Sequence, residues 1–163
     1  MGDWYLGLGP LWLTLELALI TTSILLLIGT PIAYWLAFTR SRIRPLIEVL
    51  VAMPLVLPPT VLGFYLLIFF RPNGFVGSLW HDMTNQSLLF SFSGLVIASV
   101  IYSLPFVVQP LQNSFVSVGR SPLEKAATMG LARASRILKV LIPQAKRGYI
   151  TAAVLGFTHT VGE

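Results

Sequence analysis

The sequence contains no cysteine, which excludes structural disulfides, thiolate metal sites and a cysteine nucleophile. Charge is scarce as well. Charged residues fill 10% of the 163 positions, against roughly a quarter in an average soluble domain, so this is not such a domain. Only six residues are acidic, and they form no paired catalytic acids. The chain has no glycine-rich phosphate loop, no serine–histidine–acid set and no metal-spaced cluster. It also lacks evident internal repeats and low-complexity segments. The polypeptide therefore shows no catalytic apparatus of its own, and an enzyme is the weakest reading.

What fills the space is apolar: 55% of the residues are hydrophobic, gathered into long uncharged runs that indicate an all-α integral membrane protein. The formal net charge of +5 raises the question of nucleic acid, and its placement answers it. Ten of the eleven basic residues fall within 40–44 and 120–147, beside the apolar runs. That is the positive-inside pattern of a multi-pass membrane protein and not a nucleic-acid face.

Residues 1–13 hold Asp3, Trp4, Tyr5 and Trp12, an aromatic set suited to a membrane interface. No basic residue precedes the first apolar run, which argues against a signal peptide. The first span is expected over about 14–39, uncharged from Leu17 to Thr39 with Glu16 at its entrance. Arg40, Arg42 and Arg44 close it, which puts that end in the cytoplasm and the N-terminus outside. The second span, about 49–70, is unusual in its middle. There MPLVLPPTVLG sets Pro54, Pro58, Pro59, Thr60 and Gly63 near the bilayer midplane. Adjacent prolines remove two N–H donors, and Pro59 pushes Pro58 out of the helical region. A simple proline kink is the plain alternative. Three prolines favour a true interruption, which lipid tolerates only where it is packed in protein or faces a water-filled cavity. Such breaks recur along transporter substrate paths.

Arg71 to Ser93 reads as an external loop in which His81 and Asp82 form a solvated pair, with no third ligand to make a metal site. A third span is expected over about 94–116, interrupted by Pro105 and Pro110. Its polar residues Ser99, Ser103, Gln109, Gln112 and Asn113 leave two readings open, hydrogen bonding between helices or lining a path. From Gly148 the chain is apolar again until Glu163. Sixteen residues reach only about 24 Å, so 148–163 reads as the start of a fourth span, cut short within a fragment. His159 has no partner in view, and the intramembrane signal of Glu163 is compromised by its place at the end.

Between the third and fourth runs lies a cytoplasmic segment, 119–147. Ser121, Pro122 and Glu124 give the signals of a helix start: a hydroxyl cap, proline in the first turn and a carboxylate to close a capping box. Gly130 suits the left-handed residue that ends a helix. Leu131, Ile137, Leu138 and Leu141 then resume an apolar face opposite Arg133, Arg136 and Lys139, until Pro143 interrupts it. From the helix pattern alone, a docking element and an ordinary charged loop remain equal readings.

The segment EKAATMG, Glu124 to Gly130, followed after nine residues by VLIP, Val140 to Pro143, resembles the cytoplasmic EAA motif of ABC importer permeases. That motif runs Glu, Ala, Ala, three residues, Gly, nine residues, then Ile-x-Leu-Pro. Here Lys125 is inserted before Ala126 and Ala127, Val140 replaces the isoleucine, and Ile142 replaces the leucine. The second span, the stretch YSLPFVVQPLQNSF and the closing HTVGE are similar to the molybdate branch of these permeases. The likeness covers residues 11–163, an incomplete type-1 ABC transmembrane domain.

The resemblance implies a bundle of membrane helices in the plasma (inner) membrane, paired with a second copy of itself. Two cytoplasmic ATPase subunits and an external oxyanion-binding protein would complete the importer. ATP and magnesium would be used on the ATPase partner, with no cofactor on this chain and no nucleic acid partner. Glu124, Ala126, Ala127, Gly130, Val140, Ile142 and Pro143 would form the coupling segment that contacts the ATPase. Pro54, Pro58, Pro59, Thr60 and Gly63 would line the translocation path. The cargo expected is molybdate or tungstate. A sulfate or thiosulfate permease of the same fold is the nearest alternative, and a non-transporting membrane anchor is a more distant one.

Overall fold

A computed structural model describes residues 8–163, and Asp3, Trp4 and Tyr5 of the proposed interfacial set lie outside that range. Every regular element among the described residues is helical. The first helix, α1 (Leu8–Phe38), carries apolar residues around its whole circumference, as expected of a helix with lipid or protein on every side. The break after it, at Thr39 to Ile43, holds Arg40 and Arg42. Next come α2 (Arg44–Val56), α3 (Pro59–Phe70), α4 (Phe75–Thr84) and α5 (Phe92–Val118). Then follow α6 (Ser121–Thr128), α7 (Arg133–Arg136), a π turn (Ile137–Leu141), α8 (Ile142–Gln144) and α9 (Lys146–Gly162).

The core is where α1, α5 and α9 pack against one another, with α2 laid on α5. Leu25, Ala33 and Leu36 of α1 meet Val107, Val108, Leu111 and Phe115 of α5 and Ala152 of α9 in one buried cluster. Small residues permit this approach. Gly148, Ala152, Gly156 and Thr160 recur every fourth position along the buried face of α9. A Cβ on Gly148 would stand 2.3 Å from the Ser114 Cβ, and one on Gly156 would stand 2.7 Å from Val107 Cγ2. Without hydrophobic transfer to drive association in lipid, close van der Waals contact of this kind holds helices together.

Two helices, α1 and α5, are each long and apolar enough to cross a membrane. The second expected span is broken at its prolines: α2 and α3 meet at a 110° bend across Leu57 and Pro58. Both residues are extended there (ψ 133° and 138°), as adjacent prolines demand. The interruption is real, and it is far sharper than a kink. A polar tie fixes α2: Glu48 accepts from Arg44 Nε at 2.9 Å and from Gln112 Nε2 of α5 at 2.8 Å.

Several local expectations need correction. Pro105 and Pro110 do not interrupt the third span, because α5 runs unbroken through both. Pro105 is fully buried, and α1 and α9 pack on a helix that continues past the lost hydrogen bonds. Ser91, one residue outside α5, caps it through its hydroxyl, which accepts from Gly94 N at 3.0 Å. The stretch expected to be an external loop is not merely a loop either. It contains α4, whose Gly77 sits so tightly on the end of α3 that a Cβ would lie 2.0 Å from the Arg71 carbonyl oxygen.

In the segment 119–147 Ser121 is no cap. Arg120 occupies that position with helical φ and ψ, and the start of α6 carries no side-chain capping bond and no capping box. The exit from α6 matches expectation. Gly130 is left-handed at φ +80°, Gly130 N donates to Ala127 O at 3.0 Å, and Leu131 N donates to Ala126 O at 3.1 Å. Those two bonds are a Schellman motif. Pro143 does not end the following helix. The turn before it widens to π geometry, with Ile142 N donating to Ile137 O, and the chain turns only at Ala145.

Candidate functional site

Two places gather the residues singled out by sequence. The first is a cavity of about 610 Å³ between α3, α5 and α9, lined by Pro59, Gly63, Ser99, Tyr102, His159 and Glu163 among others. Of the five path candidates, Pro59 and Gly63 reach it. Pro54 is buried within α2, while Pro58 and Thr60 are exposed at the bend and do not line it.

Facing Pro59 and Gly63 is a polar cluster that sequence reading missed. Ser99 Oγ donates to Glu163 Oε2 at 2.5 Å, and Ser103 Oγ donates to Glu163 Oε1 at 2.8 Å. His159 Nδ1 lies 2.8 Å from Ser103 Oγ and 3.3 Å from Glu163 Oε1. A serine hydroxyl has one proton. With that proton given to the carboxylate, the Ser103 oxygen is left to accept from its other neighbours. Thr160 Oγ1 is within 3.2 Å of the same oxygen. The imidazole stacks on Phe106 with ring centroids 3.9 Å apart and tilts against Tyr102 at 4.9 Å.

His159 therefore has partners, contrary to expectation, and Glu163 is held by two hydroxyl donors on a neighbouring helix. The signal was present in the spacing. Ser99 and Ser103 are four apart, as are His159 and Glu163, so each pair shares one helix face. Of the two readings left open for α5, Ser99 and Ser103 bear out hydrogen bonding between helices, and Ser99 also borders the cavity. Gln112 bonds across to Glu48, while Gln109 and Asn113 line a separate cavity beside α9.

The second place is the segment from α6 to α8. Ala126 is buried where α6 packs on α7 and the π turn, whereas Glu124, Ala127 and Gly130 are exposed on its outer side. Val140 and Ile142 are half-buried in and beside the π turn, and Pro143 is exposed. The result is a short rigid knob, ended by a Schellman turn, between two long apolar helices. Arg120 ties it to the end of α1 by donating to the Phe38 carbonyl. His81 and Asp82 are both exposed on α4, and among the described residues no group of three or more His, Cys, Asp or Glu side chains could hold a metal.

Comparison with known proteins gives a consistent picture. The molybdenum transport system permease protein ModB of Azotobacter vinelandii is 56% identical over 96% of this chain and 69% of its own length. A probable molybdenum ABC transporter permease protein of Haloferax volcanii is 36% identical over 90% of this chain and 52% of its own length. ModB of Escherichia coli K12 is 28% identical over 94% and 69%, respectively. The chain thus spans between half and about seven-tenths of these relatives. Residues 29–163 match the family described as binding-protein-dependent transport system inner membrane component, and the chain belongs to that family.

Proposed function

We propose that the chain is the permease subunit of an ATP-driven importer of molybdate. The observation that carries this reading is that 90–96% of this chain matches relatives named as molybdenum permeases. The exposed knob from α6 to α8 supports it, because it has the form a coupling element needs. Residues 11–163 form the transmembrane domain, with spans at about 14–39, 49–70, 94–116 and 148–163 and the cytoplasmic segment at 119–147. The N-terminus lies outside. Two copies of the chain pair in the plasma membrane, each seated on a cytoplasmic ATPase subunit that binds ATP and magnesium, and an external protein delivers the anion.

In this reading Glu124, Ala126, Ala127, Gly130, Val140, Ile142 and Pro143 transmit ATPase closure to the membrane. A compact helix pair moves as a rigid body, and its exposed small residues allow a partner surface to approach closely. The interrupted second span borders the path through Pro59 and Gly63, with Pro54, Pro58 and Thr60 shaping the bend. No lysine or arginine lines the cavity there, and Glu163 adds negative charge. An oxyanion would be held weakly at such a place, which suits passage and leaves selectivity to the external protein.

The reading is tested by uptake of labelled molybdate into proteoliposomes carrying the permease and its ATPase, with the binding protein and ATP supplied on their proper sides. Uptake should resist excess sulfate. Sulfate uptake of equal efficiency would move the assignment to the sulfate and thiosulfate branch.

A further inference from the structure

A cavity of about 590 Å³ lies between the end of α1 and the segment from α6 to the π turn, and it gathers Arg120, Arg133 and Arg136. Arg120 and Arg133 are exposed residues whose guanidinium groups lie over aromatic rings of α1, and Arg136 is half-buried. Arg120 lies 6.0 Å over the Phe38 ring, and Arg133 lies 6.0 Å over the Tyr34 ring. Arg136 Nε is buried without a hydrogen-bond partner. Glu124 lines the same cavity, yet among the described residues no carboxylate comes within 4.0 Å of any of the three arginines. Three like charges confined around one half-enclosed space repel one another, and a buried N–H donor left unmade is costly. An anion entering the cavity would relieve both.

The position says which anion. The cavity opens where the two membrane-length helices α1 and α5 end, at Phe38 and Val118. Tyr34 and Trp35 form its wall, the aromatic types that sit at headgroup depth. Guanidinium groups match phosphate oxygens in a bidentate fork, and basic pockets between membrane helices on the cytoplasmic side take lipid headgroups. We propose that this cavity seats the phosphate headgroup of an anionic phospholipid of the inner leaflet, which bridges the end of α1 to the knob.

The proposal rests on the reading above that the arginine-rich end is cytoplasmic. Its test is independent of that reading, because binding in detergent has no sidedness. The chain is purified in neutral detergent and titrated with phosphatidylglycerol or phosphatidylcholine, with bound lipid counted by native mass spectrometry. Phosphatidylglycerol should bind selectively. The double variant Arg133→Gln/Arg136→Gln should weaken it by about thirtyfold, with phosphatidylcholine adducts unchanged. The pair Lys146→Gln/Arg147→Gln, basic but outside the cavity, should leave phosphatidylglycerol binding in place. The proposal is overturned by equal binding of the two lipids, by undiminished binding to the first variant, or by equal loss in the second. Displacement of the lipid by inorganic phosphate at equal concentration would also overturn it, assigning the cavity to a free oxyanion.

Discussion

Ser103 shows how much a single small side chain can hold in place here. Its one hydroxyl is buried and touches Glu163, His159 and Thr160 at once, joining α5 to α9 where water is scarce. Replacing it with alanine leaves the carboxylate one donor short and removes a hydrogen-bond partner of His159. Hydrogen bonds between membrane helices are worth about 0.5–2 kcal/mol, so Ser103→Ala should lower stability in detergent by an amount of that order, read as a lower thermal midpoint. Ser103→Thr, which keeps the hydroxyl, should recover part of the loss. An unchanged midpoint for the alanine variant would mean that the cluster does not tie the helices. The four-residue spacing of His159 and Glu163 was legible, whereas their bonds to Ser99 and Ser103 were not, because a partner on another helix is not visible in sequence. Gly130 was legible, since a left-handed residue ending a charged helix has few alternatives to glycine.

At the scale of elements, the decisive feature is the bend between α2 and α3. If the bend shapes the path, Pro58→Leu/Pro59→Leu should let the two helices run on as one and should reduce transport severalfold while leaving insertion intact. Spin labels on Val49 and Phe69 would report the straightening as a longer distance. Uptake unaltered in a straightened helix would reduce the prolines to a packing detail. The break itself could be foreseen, because two adjacent prolines act locally through lost donors and restricted backbone. Its 110° angle could not, since that depends on what α2 and α3 pack against. The opposite failure occurred in α5, where Pro105 and Pro110 were expected to interrupt and the helix, packed between α1 and α9, runs on through both. At the start of α6, Arg120 took the capping place expected of Ser121 because its own backbone is already helical and its side chain is drawn to Phe38.

For the whole molecule, the charge pattern sets a topology that single cysteines can report cleanly, since the chain has none of its own. Ser41→Cys and Asn73→Cys both fall at exposed positions on either side of the α2–α3 pair. Labelling from opposite faces of the membrane is expected if the bent pair crosses it. Labelling from the same face would make it a re-entrant hairpin and would overturn the proposed orientation of everything after it. The central claim is that the α6 knob couples an ATPase to the membrane helices, and Gly130 is where it is most exposed to test. A Cβ there would meet no neighbour within 4 Å, and Gly130→Leu strains the left-handed turn by about 1–2 kcal/mol. The most direct measurement is the ratio of molybdate imported to ATP hydrolysed in proteoliposomes bearing Gly130→Leu beside the natural permease. The account predicts continued hydrolysis with import reduced tenfold or more, roughly the effect of losing 1.4 kcal/mol of coupling. An unchanged ratio would contradict it.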